Sequence, residues 1–274
     1  MIKDITIGQY YPAKSILHRL DPSIIHRLDP RVKLMGTLVF IISLFLGMNI
    51  WIYAFVTVAL AAVIAISKIP LKFMVRGLKS IVILIIISAV FNLFLTPGET
   101  LIQIWKLTIT YEGLKTAIFM VVRLVYLILG TSLMTLTTTP NNLTDGLEKG
   151  LGFLKYIKVP VHEIAMMMSI ALRFIPILVE ETDKIMKAQM ARGADFENGN
   201  IIKRAKAMVP ILVPLFVSAF RRANELAMAM EARCYHGSEG RTKMKPLKYA
   251  KRDKIAYLCM FAYLGVLILI KIFV

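Results

Sequence analysis

Apolar positions dominate five stretches of this chain, at roughly 33–48, 50–67, 78–96, 114–138 and 254–273. Such runs predict helices that cross a bilayer, which takes about 20 residues each. The first two are short and separated only by Met48-Asn49, so they predict a tight helical hairpin. The stretch 98–112 (GETLIQIWKLTITYE) is too polar to span and reads as a loop or an interfacial helix, with Trp105 and Tyr111 at the headgroups. From 140 onward the pattern changes. Pro140-Asn141-Asn142 ends the fourth run, and 143–156 reads as a short amphipathic helix. Residues 161–191 predict a long helix whose first half is apolar enough to touch the membrane. Its second half alternates charge (Glu180, Glu181, Asp183, Lys184, Lys187), as a solvated helix does. Pro176 should kink it, and at 1.5 Å per residue it would reach about 45 Å. After a polar turn at 194–201, residues 202–232 repeat the design, with Pro210 and Pro214 as breakers within VPILVPLFVSAF. That apolar stretch is shorter than a span, which keeps the segment on or beneath the membrane; the alternative is a pair of shallow spans.

These elements predict an all-α polytopic membrane protein with about five transmembrane helices and an added module of long helices. An N-terminal arm occupies 1–32, four transmembrane helices 33–139, the module 140–253, and a last transmembrane helix 254–274. Composition agrees: 57% of the 274 residues are hydrophobic and the mean hydropathy is +0.68, too apolar for an ordinary soluble domain. Lys and Arg set the orientation. The arm carries Lys3, Lys14, Arg19, Arg27, Arg31 and Lys33, and the 68–79 loop carries Lys68, Lys72, Arg76 and Lys79 with no acid. Both belong inside, so the N-terminus and 140–253 are expected in the cytoplasm and the C-terminus outside a cell membrane. The first span is expected to serve as an uncleaved signal. The net charge of +17 is then positive-inside bias plus contact with anionic membrane lipid. Nucleic acid is the wrong partner, since no basic stripe is interleaved with stacking aromatics.

The arm holds a tandem copy, Ser15-Ile-Leu-His-Arg-Leu-Asp-Pro22 followed by Ser23-Ile-Ile-His-Arg-Leu-Asp-Pro30. The bland reading is a duplication that lengthened a tolerant arm; the functional one makes Asp29, Pro30, Arg31 and Lys33 an anchor at the membrane interface. Asp29 and Arg31 are expected to pair there, with Arg31 and Lys33 meeting lipid phosphate. The two long helices end alike, in Ala191-Arg192-Gly193 and Ala232-Arg233-Cys234. A Gly suits the left-handed position that closes a helix, and Arg complements the negative end of its dipole. One copy is routine helix-end chemistry; two copies, each closing a long helix, read as two pegs, since Arg offers a planar fork that grips a carboxylate in a groove. Nine of 16 methionines fall between 166 and 244, among them Met166, Met167, Met168, Met208, Met228 and Met230. Met is flexible and over-used on surfaces that fit several partners, so these mark an adaptable docking face.

No catalytic constellation emerges. His162-Glu163 lacks the second His of a zinc-protease motif, and His18, His26 and His236 have no metal-ligand spacing. Cys234 and Cys259 match no metal or disulfide pattern, and Gly146, Gly150 and Gly152 precede no phosphate-loop Lys-Ser or Lys-Thr pair. Energy must come from elsewhere. Arg123, with Lys115 and Asn92 nearby, is a poor substrate pathway without a buried acid. A stand-alone secondary transporter, the alternative reading, needs broken helices and repeated spans.

His26-Arg-Leu-Asp-Pro-Arg-Val-Lys33, Ala191-Arg192-Gly193 and Met230-Glu-Ala-Arg233-Cys-Tyr-His236, in this order and spacing, resemble the transmembrane T component of energy-coupling factor (ECF) transporters, the EcfT/CbiQ family, over essentially the whole chain. The resemblance implies that 140–253 is a cytoplasmic coupling-helix module and that the chain is not an enzyme. Ala191, Arg192 and Gly193, with Ala232 and Arg233, would dock into two ABC-type, EcfA-like ATPase subunits. An apolar face would hold one substrate-binding S subunit for vitamin or metal-ion uptake. The chain itself would bind no cofactor; ATP and Mg would sit on the partner ATPases. Cys234 stands where the family usually has Gly, so the second helix end is expected to close less easily.

Overall fold

A computed structural model describes residues 23–79, 81–104, 107–196, 200–237 and 246–273. The first tandem copy, Ser15–Pro22, and Trp105 lie outside them. The chain divides into two compact units, Met1–Lys149 with Leu247–Val274, and Gly150–Pro246.

In the first unit, α1 (Pro30–Ser43) starts where its cap dictates. The Asp29 carboxylate accepts from the Arg31 N–H, and Pro30 sits in the first turn, where its missing N–H costs nothing. α1 is shorter than the predicted 33–48 because residues 44–46 tighten into three-residue-spaced turns, with the Phe45 N–H on Ile42 O and the Leu46 N–H on Ser43 O. Hydropathy cannot see such an ending, as the residues remain apolar. α2 (Ile50–Ser67) completes the expected hairpin. The predicted third span is a pair, α3 (Leu71–Lys79) and α4 (Val82–Leu95), bent by 57°.

Residues 98–112 depart further. They form neither a plain loop nor an interfacial helix but an antiparallel hairpin, β1 (Thr100–Ile104) with β2 (Leu107–Thr110). The Thr and Ile residues here are β-branched, which favours extended backbone over helix. Thr110 then caps α5 (Tyr111–Thr137), its hydroxyl accepting the Gly113 N–H. α6 (Pro140–Gly150) takes Pro140 into its first turn, rather than starting after it. α9 (Lys251–Phe273) returns to the bundle.

The core of this unit gathers Leu44, Ile52, Tyr53, Val56 and Leu267 from α1's end, α2 and α9. Phe40 of α1 reaches α5 only because Gly130 has no side chain: a Cβ there would lie 2.5 Å from the Phe40 ring. Arg123 is held inside the bundle. It is 8% exposed, donates to the Tyr53 hydroxyl at 2.9 Å, and lies 5.0 Å from the Phe45 ring. Tyr53 in turn donates to Leu44 O at 3.3 Å, so one buried cation ties α5 to the α1–α2 turn.

The second unit holds a 3-10 helix (Gly152–Ile157) and two 31-residue helices, α7 (Val161–Ala191) and α8 (Ile201–Glu231). Pro210 and Pro214 do not break α8, and α7 runs on across Pro176. Each proline removes one backbone donor, while the rest of a 31-residue ladder holds. By length and composition, α2, α5, α7 and α9 can cross a membrane, and the α3–α4 pair makes a fifth if it is one broken span. α7 is in this set although its sequence places it in the cytoplasmic module. α1 is not: its 14 residues reach about 21 Å against a hydrocarbon core of about 30 Å.

Candidate functional site

The ends of α7 and α8 close with the same hydrogen bonds. After α7, Gly193 takes φ +89°; its N–H donates to Met190 O at 2.9 Å and the Ala194 N–H to Gln189 O at 3.0 Å. After α8, Cys234 takes φ +56°; its N–H donates to Glu231 O at 2.8 Å and the Tyr235 N–H to Met230 O at 3.1 Å. Both are complete Schellman closures, with the outer and inner bonds nested in register. The expected irregularity at Cys234 is therefore absent. The residue adopts the left-handed backbone despite its Cβ, a conformation that disfavours non-glycine residues by about 1–2 kcal/mol. Ala191, Arg192, Ala232 and Arg233 are all exposed. Each Arg occupies the same place, one residue before the left-handed turn, where the last carbonyls of its helix make the local field negative.

What joins the two helices was not singled out by the sequence. Glu181 of α7 accepts from Ser218 Oγ on one oxygen and from Arg222 Nε and Nη2 on the other, at 3.3 and 3.0 Å. Gln189 donates to Pro210 O at 3.4 Å. These pairings run in opposite directions along the chain, so α7 and α8 are antiparallel. Arg192 lies eleven residues beyond Glu181, and Arg233 eleven beyond Arg222. Each end is thus about 16 Å past the clamp, on opposite sides of it. The available signal was a carboxylate and an Arg on two helices of matching design, but charges on a solvated helix face are common and nothing local selects this pair.

The methionines divide. Met167, Met168, Met208 and Met228 are exposed, whereas Met166 and Met230 are half-buried. On α8 the exposed apolar surface continues through Leu212, Val213, Phe216, Val217 and Phe220, each more than half exposed.

The predicted interface anchor lies in the other unit. Asp29 and Arg31 pair bidentately, Nε to Oδ1 and Nη2 to Oδ2, both at 3.0 Å. Arg31 also stacks 3.9 Å over the Tyr249 ring. Pro30 is buried at the first turn. Lys33 turns inward, donating to Thr137 O at 2.9 Å and His26 O at 3.2 Å. The sequence reading missed Asp253, which is 2% exposed and takes the Asp29 N–H at 2.9 Å and the Ala250 N–H at 2.7 Å. It binds the arm to the start of α9. Burial alone would raise the Asp29 carboxyl, but hydrogen bonds and charge from Arg31 outweigh it and hold Asp29 below the usual carboxylate range. Burial and then the Lys33 charge push His26 down, and Ser23 Oγ shares a hydrogen bond with its Nδ1 at 2.7 Å. Among the described residues, no group of three or more His, Cys, Asp or Glu side chains could hold a metal ion.

Fold and site define a helical, multi-pass membrane protein that carries an antiparallel pair of Arg-terminated helices. The CbiQ family, described as cobalt transport protein, matches residues 21–244. The chain is 55% identical to the energy-coupling factor transporter transmembrane protein EcfT of Clostridium kluyveri over 99% of this chain and 98% of that one. It is 54% identical to EcfT of Thermosediminibacter oceani over 94% of each chain. The EcfT of Bacillus subtilis is 48% identical over 92% of this chain and 93% of its own. The chain belongs to the EcfT/CbiQ family, the transmembrane components of ECF transporters, and so acts within a transporter complex that has other subunits.

Proposed function

We propose that the chain couples ATP-driven motion of two ABC-type ATPase subunits to a substrate-binding S subunit for uptake of a vitamin or metal ion, without catalysing a reaction or holding a cofactor itself. The observation that carries this is the matched closure of α7 and α8 with an exposed Arg at each end. Two equal pegs facing opposite ways suit two separate sockets better than one. ATP and Mg would belong to the ATPases. Arg192 and Arg233 would each enter a groove with a carboxylate at its base, where a guanidinium can bind two oxygens at once. The flanking Ala191 and Ala232 let backbone approach backbone, and Gly193 and Cys234 turn the chain away. In this reading the arm and the Arg ends face the cytoplasm and the C-terminus faces outward. Met167, Met168, Met208, Met228 and the apolar surface of α8 then receive the S subunit.

Replacing both pegs tests the proposal: Arg192→Glu with Arg233→Glu should abolish co-purification of the ATPases while the protein still inserts into membranes. Undiminished ATPase recovery with the double variant would falsify it.

A further inference from the structure

We propose that the first unit carries a binding cleft for one anionic phospholipid of the bilayer, closed on one side by the second copy of the tandem arm. A cleft of about 720 Å³ lies between α1, α2, α5 and α9. Ile24, Ile25 and Leu28 of the arm line it, which gives that repeated segment a place the transport reading does not supply. The volume falls within the ~300–1,000 Å³ of small-molecule sites.

The charge and depth of the cleft select its occupant. Of the side chains lining it, only Lys33 and Arg252 are charged, and both are positive. Both stand where α1 and α9 begin, so the charge gathers at one end. The two acids nearby do not line it: Asp29 is held by Arg31, and Asp253 accepts backbone N–H groups. Lys33 donates to two carbonyls, and attraction to Asp253 and Asp29 offsets part of its charge, which leaves Arg252 as the main contact for a phosphate. Arg252 is exposed and forms no ion pair with another described residue. From that mouth the lining of α9 runs through Ile255, Ala256, Cys259 and Met260 to Tyr263. Eleven residues of helix measure about 16 Å. Half of a hydrocarbon core of about 30 Å is nearly the same, so the cleft has the depth of one leaflet. A phosphate at the cationic mouth and an acyl chain along the apolar wall satisfy both ends together. Basic pockets between membrane helices hold lipid headgroups by the same attraction.

Gly36 permits a direct test. It lines the cleft, and an added Cβ there has nothing within 4 Å, so a larger side chain enters the cleft without displacing a neighbour. The full-length chain in detergent is titrated with phosphatidylglycerol or phosphatidylcholine of identical tails, and bound lipid is counted by native mass spectrometry. Phosphatidylglycerol should bind about tenfold more tightly. Arg252→Glu should erase that preference, and Gly36→Leu should lower retention of both lipids. In a Cys234→Ala chain, bimane on Cys259 should be quenched by brominated phosphatidylglycerol more than by brominated phosphatidylcholine. Equal retention in the wild type and both variants overturns the proposal, as does a headgroup preference that survives Gly36→Leu. Cross-linking of Cys259 to a helix of another subunit, in place of lipid, overturns it too.

Discussion

Cys234 shows how a helix end can keep its geometry after losing the residue best suited to it. Its two nested hydrogen bonds match those at Gly193, and its φ of +56° shares the left-handed region with Gly193's +89°, so the backbone pattern rather than the side chain carries the closure. The strain remains. Cys234→Gly should therefore stabilise the second helix end by about 1 kcal/mol, detectable as a higher melting temperature, while ATPase co-purification stays intact. A lower melting temperature would mean that the thiol makes a contact outweighing the strain. The Arg residues before each turn were legible in the sequence because each ends a long helical segment in a matching tripeptide, Ala191-Arg192-Gly193 and Ala232-Arg233-Cys234. Asp253 was not. It is a lone acid in a basic segment, and only the fold shows that its two oxygens hold backbone N–H groups of Asp29 and Ala250.

At the scale of elements, hydropathy located α2, α5 and α9 well, since a continuous apolar run leaves few alternatives to a helix. It failed where local bonding decides. The early end of α1 depends on a change of hydrogen-bond spacing, the β1–β2 hairpin on β-branched residues within a short window, and the continuity of α8 on a ladder long enough to survive two prolines. The clamp of Glu181 with Ser218 and Arg222 was invisible for a different reason: its partners are some forty residues apart and meet only after the chain reverses. Glu181→Gln keeps the size and one acceptor but removes the charge facing Arg222. The ATPases should still co-purify with this variant through the two Arg ends, whereas uptake into vesicles by the assembled complex should fall about tenfold. Uptake at the wild-type rate would show that the clamp transmits nothing.

For the whole molecule, pH acts through the join between the arm and the bundle. The His26 imidazole is held down by burial and by Lys33, so the folded state prefers it neutral. An unfolded chain binds that proton more readily, which makes folding less favourable as pH falls below ~6.5. Asp29, held down by Arg31, gives stability that is complete above ~4 and is lost as pH drops further. Both signs agree: acid weakens the unit, with His26 responding before Asp29. Melting temperature should decline as pH falls from about 7 toward about 5, and His26→Gln should remove much of that decline. An identical profile in the variant would assign the change to other groups.

The position of the clamp has a mechanical consequence. From Glu181 to Arg192 is about 16 Å of helix, but from Glu181 back to Val161 is about 30 Å; α8 divides almost identically about Arg222. Each helix is then a lever with unequal arms about the clamp, braced once more where Gln189 donates to Pro210 O. The short arms carry the Arg tips and the long arms carry Met167, Met168, Met208 and Leu212. A small rotation about the clamp would move the starts of α7 and α8 nearly twice as far as the Arg tips, and Met167, Met168 and Met208 about a quarter further than the tips, so the off-centre pin gears the stroke up while reducing its force.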